Sequence, residues 1–338
     1  MQSLRSCTQS GTINRSSPPS PLIRQTVCFD GGNRTILWIN PNNQIQKIPS
    51  FIKYLQPWEE AEHENSSVVI EYKDLKYCLG NIAADLGGRP VHEENKCSLA
   101  LHLALAALEP NPGERVVTIE KLLIALPDKR KQDDVELLKR LEGTHEFTRN
   151  SKQIIATVRQ VIPVDETRGA YQFALKYNLF RSQSHINGIL DLGGGTGIAR
   201  LYSPNQTLIR KADVIVPGTN QIVTKINASL LPVTGLSQNL NLMMDAIEDG
   251  SFQIGTSDIN FANQFPRCRD EWLTEIRGKL KTAWGEYFSK IGEVLIIGGS
   301  APLAEPLEAA TKGRFKIAKH SQIPNFAQYI NLRGMEVM

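Results

Sequence analysis

Short apolar runs separated by Gly, Pro and Asn fill the first part of the chain: TVCFD (26–30), TILWIN (35–40), IQKIPSFIKYL (45–55) and SSVVIEYKDLKYCLG (66–80). Runs of this kind predict strands of a meander, with turns at Gly31-Gly32 and at Pro41-Asn42-Asn43. CSLALHLALAALE (97–109) is apolar nearly all round, which predicts a buried helix, and Pro110 and Pro112 end it. ERVVTIEKLLIALPD (114–128) then predicts a long strand and DDVELLKRLEG (133–143) an amphipathic helix closed by Gly143. THEFTRN (144–150) and KQIIATVRQVIPV (152–164) read as a strand pair, and a helix from Asp165 to Tyr177 closes this half.

The pattern then restarts. NGILDLGGGTGIARLY (187–202) mirrors TVCFDGGNRTILWIN (26–40): an apolar strand, an Asp at its end, glycines, and a second apolar strand. Such a recurrence predicts an internal structural repeat. A helix from Thr219 to Ser229, a mostly helical stretch from Ser237 to Lys290, the strand EVLIIGGS (293–300), a short helix after Pro302 and a final helix from Asn325 to Leu332 follow. The pattern predicts two related α/β halves with helical filling in the second.

Composition narrows the class. The 38 Lys and Arg exceed the 35 Asp and Glu by three, and residues 1–24 hold Arg5, Arg15 and Arg24 with no acid. This Ser/Pro-rich segment reads as a disordered basic tail, which leaves a formally neutral body and argues against a protein whose whole surface wraps nucleic acid, without excluding a local patch. The longest apolar stretch, Leu99 to Leu108, is about half of the roughly 20 residues that span a bilayer. No transmembrane segment or secretory signal is expected. Five Cys without CxxC spacing point to a reduced, cytoplasmic setting rather than a disulfide framework or a zinc site. His63, His92 and His145 are expected in solvent, and His102 in the core or on a helix surface.

Three loops share one chemical logic. FDGGN (29–33) and LDLGGGTG (190–197) each put a carboxylate at a strand end and follow it with residues lacking a Cβ, so that backbone N–H groups can approach phosphate oxygens. The Asp makes sense beside phosphate only if a divalent cation, with most of its waters retained, stands between them. IIGGSAPL (296–303) and VPGTN (216–220) offer walls for a flat nucleoside. There is no GxxxxGK[ST], GGGTG fails GxGxxG in every register, and no HExxH or GxSxG occurs.

These residues resemble the actin-like ATPase superfamily: FDGGN its first phosphate loop, DLGGGTG its second, VLIIGGSAPL its adenosine motif, and VIPVDETRGAYQFAL (161–175) its first connecting helix. The DGGN opening, YKDLKYCLGNIAADL and the short second domain are most similar to bacterial plasmid-segregation actins of the ParM/StbA type. The resemblance implies a two-domain α/β fold, the duplicated ribonuclease H-like arrangement of actin, Hsp70 and hexokinase, with nucleotide in the interdomain cleft. Its domains would be 25–180, joined by the helix of 320–338, and 181–319.

By the same resemblance, Asp30 and Asp191 would hold Mg²⁺, mainly through water. Gly31, Gly32, Asn33, Gly193, Gly194, Gly195 and Thr196 would contact phosphates, with Arg34 a candidate phosphate cation. Gly218, Thr219, Gly298, Gly299 and Ser300 would line the nucleoside of ATP or GTP. Glu166 aligns with the acid that orients the attacking water; Asp165 competes with it, and either also suits a first-turn acid facing the helix dipole. The implied function is a slow ATPase that polymerises head to tail and segregates plasmid DNA through a ParR-like DNA-binding adaptor. A cell-shape filament scaffold and a small-molecule kinase of the same superfamily are the alternatives.

Overall fold

The computed structural model describes residues 22–62, 64–93 and 96–338. Two mixed sheets organise the chain. The first is built by β1 (Leu22–Gly31), β2 (Thr35–Ile39), β3 (Ile45–Pro49), β4 (Phe51–Tyr54), β5 (Ser67–Tyr72), β6 (Leu75–Gly80), β7 (Arg89–Pro90), β8 (Val116–Leu126), β9 (Gly143–Arg149), β10 (Lys152–Val158) and β11 (Val161–Asp165). The second comprises β12 (Ile186–Leu192), β13 (Thr196–Tyr202), β14 (Val214–Pro217), β15 (Ile291–Ile297) and β16 (Phe315–Ile317). The helices are α1 (Asn81–Asp85), α2 (Lys96–Ala104), α3 (Gln132–Lys139), α4 (Arg168–Lys176), α5 (Asn220–Thr234), α6 (Leu240–Glu248), α7 (Phe265–Trp284), α8 (Glu305–Ala310) and α9 (Phe326–Met335).

The internal repeat is present in the strand order. The second sheet runs β14-β13-β12-β15-β16. Its counterpart in the first sheet is β3-β2-β1-β8, with β11 on the far edge of β8. In both, an antiparallel hairpin is followed by parallel pairings. Asp30 pairs with Leu37 across one hairpin and Asp191 with Ile198 across the other, at the same spacing. The remaining strands of the first sheet extend beyond this common unit.

Apolar residues of the two sheets bury two large cores. Leu99, Leu103 and Ile119 belong to the first, and Trp272, Ile276 and Trp284, on one face of α7, to the second. A smaller cluster covers the other face of the first sheet, where Leu332 and Met335 of α9 meet Cys28, Leu37, Leu123 and Val164. The last helix thus packs against β1 and β2 as well as β15. Its crossing with α4 is unusually close: a Cβ on Gly334 would lie 1.8 Å from the Gly169 carbonyl oxygen, and one on Gly169 would lie 2.1 Å from the Asn331 carbonyl oxygen. Only two facing glycines permit that approach. The buried Asn331 also accepts the Ala170 N–H at 3.2 Å, supplying from α9 a cap that α4 lacks from its own Thr167.

Several boundaries move. β1 begins at Leu22, inside the segment read as tail, and Leu22, Ile23 and Arg24 pair with Val117, Thr118 and Ile119. Arg24 donates to the Ile39 carbonyl at 2.6 Å, so one of the three basic charges assigned to the tail belongs to the folded body. Residues 1–21 lie outside the described residues. The single strand expected over 152–164 is two, β10 and β11, which pair in succession along β8. The helix expected from Asp165 starts at Arg168, because Asp165 ends β11 and Glu166 donates its N–H to the Leu126 carbonyl at 2.7 Å.

Candidate functional site

The ends of the two hairpins face each other across a cavity of about 450 Å³, within the roughly 300–1,000 Å³ usual for small-molecule sites. The two loops have the same local geometry. A Cβ on Gly32 would lie 2.6 Å from the Thr35 carbonyl oxygen, and one on Gly193 would lie 2.7 Å from that of Thr196. Each turn therefore excludes any side chain two residues after its Asp. The loops also meet at their tips, Asn33 beside Gly195 and Arg34 beside Gly194.

Asp30, Gly32 and Asn33 line the cavity from the first loop, and Asp191, Gly193, Gly194 and Thr196 from the second. Gly298, Gly299 and Ser300 line it from the turn after β15, with Thr219 opposite. Three expected residues, Gly31, Gly195 and Gly218, are not part of its wall. Gly218 sits behind the second loop, where a Cβ would fall 2.5 Å from the Gly194 carbonyl oxygen, and this closeness lets the Thr219 and Asn220 N–H groups reach the Gly193 and Gly194 carbonyls at 3.2 and 2.8 Å. The start of α5 thus braces the phosphate-loop candidate from behind.

Gly298 is the most constrained glycine of the third loop. Its φ is +91°, and a Cβ there would lie 2.4 Å from Asp191 Oδ1. Any other residue would displace the carboxylate proposed for the cation. Its N–H donates to the Ala327 carbonyl at 2.8 Å, tying the loop to α9. The Ser300 N–H reaches the Leu192 carbonyl at 3.0 Å, and the Ser300 hydroxyl bonds that of Thr219 and reaches the Gly193 carbonyl at 3.3 Å. These hydroxyls hold the second loop in place.

The two competing acids part company. Asp165 is buried, pairs with Arg210 at 2.5 Å and accepts the Lys129 N–H at 3.2 Å. Glu166 lines the cavity. The next residue, Thr167, is buried with φ +74°, a conformation β-branched residues rarely adopt, and its hydroxyl bonds the Tyr202 hydroxyl at 2.9 Å. Buried Arg200 reaches across from β13 to the Glu166 and Pro127 carbonyls and to Asp213. The elbow that carries Glu166 is therefore held from the second sheet.

Arg34 lines the cavity and also makes contacts that its own loop does not suggest. It pairs with Asp245 at 2.6 Å and Glu248 at 3.3 Å on α6, while Lys47 reaches Glu248 at 3.1 Å. Burial raises the Glu248 carboxyl, but the two cations outweigh it and hold its pKa below the usual 4.5. This bridge between the halves was not legible in the sequence, although acids one turn apart at 245 and 248, beside cavity-lining Met244 and Ile247, are a recognisable signal. His145 is also corrected: it is buried, with Tyr72 and the Leu141 carbonyl as partners, because β9 is interior rather than an edge. His63 and the surroundings of His92 lie outside the described residues. Cys28, Cys78, Cys97 and Cys268 are buried.

No family model matches the sequence, and no curated protein matches it. Solved structures do. Ta0583, an archaeal actin homolog, is 14% identical and superposes with a TM-score of 0.75 over 92% of this chain and 97% of its own. A ParM subunit from a 15-stranded filament of Clostridium botulinum is 18% identical, with a TM-score of 0.72 over 93% of this chain and 100% of its own. The pSK41 ParM protein is 16% identical, with a TM-score of 0.69 over 93% and 96%. With the duplicated hairpins, the cleft between them and these likenesses together, the chain has an actin-like, ParM-type two-domain α/β fold.

Proposed function

We propose that this chain is a nucleotide-dependent, filament-forming ATPase. The observation that carries the reading is the twin pair of Asp-Gly hairpins facing one cleft, each with a turn that only glycine fits. The donor set suits a nucleotide with Mg²⁺: Asp30 and Asp191 supply two hard carboxylates on facing loops, and Mg²⁺ typically takes one or two carboxylates alongside water and phosphate. The ion, when bound, would neutralise phosphate charge. Backbone N–H groups of Gly32, Asn33, Gly194 and Thr196 would cradle the phosphates, and Gly298, Gly299 and Thr219 would bound the nucleoside. Glu166, the one of the two acids that reaches the cavity, would orient the attacking water. Hydrolysis here is positioning and charge stabilisation, with no covalent intermediate.

Ta0583 has been solved with ADP, and ParM and Alp12 have been solved as filaments, which supports nucleotide binding and head-to-tail self-assembly in this chain. Such a filament needs a heterologous interface whose rotation does not close into a ring. Plasmid segregation through a DNA-binding adaptor is the task the ParM likeness favours. The test is light scattering and phosphate release after adding Mg-ATP or Mg-GTP to micromolar protein. Scattering that rises and then decays as phosphate is released is expected. Turnover only with an added small-molecule acceptor would overturn the reading in favour of a kinase. Glu166→Ala should bind nucleotide and assemble but release phosphate roughly 10²-fold more slowly; wild-type release by that variant would remove Glu166 from the mechanism.

A further inference from the structure

One face of β13 connects the second loop to the Glu166 elbow. Side chains alternate along a strand, so Thr196, Ile198, Arg200 and Tyr202 share a face. Thr196 and Ile198 line the cavity. About 13 Å further along, at roughly 3.3 Å per residue, Arg200 donates to the carbonyls of Glu166 and Pro127, both cavity residues. Tyr202 bonds the Thr167 hydroxyl at 2.9 Å and stacks on Tyr171 with ring centroids 3.9 Å apart. A β-branched residue at φ +74° persists only where its surroundings over-determine it, and here Arg200 and Tyr202 grip both sides of that residue.

We propose that Arg200 is a positioning residue that fixes the Glu166 elbow to the strand leaving the second phosphate loop, so that loop and water-orienting carboxylate move as one body. The proposal rests on the reading of Glu166 given above. A guanidinium is suited to the task because its planar fork reaches two carbonyls at once from separate nitrogens, whereas an ammonium gathers its three donors on one atom. Arg200 is only 3% exposed, and its third contact, Nε to Asp213 at 3.3 Å, balances its charge. The carbonyls it holds come from the ends of β8 and β11, so one side chain of the second sheet sets two neighbouring strand ends of the first.

The experiment combines Arg200→Met, Arg200→Lys and Asp213→Asn with Glu166→Ala. Arg200→Met should lower kcat about tenfold or more, with nucleotide affinity within about threefold of wild type, and should add nothing to the loss already caused by Glu166→Ala. Losses that add fully, or a matching fall in affinity, would overturn the proposal in favour of a general folding role. If Arg200→Met does not fold, Arg200→Lys, which keeps the charge but gathers its donors on one nitrogen, should still lose about threefold in kcat; wild-type kcat in that variant would overturn the proposal. Asp213→Asn, which leaves both carbonyl bonds, should keep wild-type turnover, and a loss equal to that of Arg200→Met would assign the effect to the ion cluster instead. Amide hydrogen exchange over 165–171 separates the two readings. If Glu166→Ala releases phosphate normally, the catalytic role of Glu166 falls, yet exchange there should still rise about tenfold in Arg200→Lys. Unchanged exchange would overturn the tie itself.

Discussion

Replacing Gly334 by Ala tests whether the crossing of α4 and α9 is as close as the geometry requires. The added Cβ would lie 1.8 Å from the Gly169 carbonyl oxygen, whereas real Cβ atoms stay beyond 3.0 Å, so α9 must move away by at least about 1.2 Å. A gap of about 1 Å forfeits roughly a quarter to a half of each contact's attraction. Applied to Ile330, Leu332 and Met335, each worth about 1.5–3 kcal/mol when fully buried, this costs about 1–4 kcal/mol. Separating Asn331 from the Ala170 N–H, 3.2 Å apart, leaves buried polar groups unpaired at about 1–3 kcal/mol more. The expected loss of about 2–7 kcal/mol is a large part of the roughly 5–15 kcal/mol that holds a typical domain together. Denaturant titration followed by circular dichroism measures it. The control is Gly278→Ala, the same chemical change at an exposed position of α7 with no atom within 4 Å of the new Cβ, which should stabilise by about 0.5–1 kcal/mol. Gly334→Ala within 1 kcal/mol of wild type would refute the close crossing.

Three further outcomes are expected. Gly193→Ala, whose Cβ would fall 2.7 Å from the Thr196 carbonyl oxygen, should abolish nucleotide binding while leaving the far-ultraviolet spectrum native; titration with a fluorescent nucleotide that gives wild-type affinity would sink the cradle. Burial pushes the Cys28 thiol up to about 12 and that of Cys78 up to about 11, so a variant with Cys7→Ser, Cys97→Ser and Cys268→Ser, which keeps only these two, should react with a disulfide reagent only after denaturation, and labelling at native rates would show that these sites open. Because the Glu248 carboxyl is held below its usual 4.5, its contribution to stability is complete above that pH and fades as pH falls through the lowered value. Wild type should therefore lose more stability than Glu248→Gln between about pH 5.5 and 3.5, and equal losses would contradict the cross-cleft bridge.

Much of the first half could be read from alternating and continuous apolar runs, because each strand's own residues carry its pattern, but the expected meander holds only for β1 to β3: β4 meets β6 and β7, and β5 meets β6 and β9. The two Asp-Gly hairpins were equally legible, since carboxylate, glycine and flanking strands lie within a few residues. What escaped depends on distant partners. Arg34 read as a phosphate cation because only its own loop was visible, and Asp245, its partner, lies on α6. Asp165 and Glu166 could not be separated by sequence, since Arg210, which pairs with the first, and Arg200, which holds the carbonyl of the second, lie 45 and 34 residues further along the chain. Leu22 to Arg24 read as tail because their Ser/Pro surroundings hid a pairing with β8. The strands β14 and β16 are short and edge-placed, too brief for any periodicity.

The position of α9 constrains how the molecule can be made. Leu332 and Met335 finish a cluster whose other members run from Cys28 and Leu37, near the opposite end of the described chain, to Leu123 and Val164. During synthesis at roughly 5–20 residues per second, the first sheet would wait many seconds with that apolar face uncovered. Until α9 has been made, that face is open to holding chaperones, and assembly of anything that needs the finished cluster waits for it.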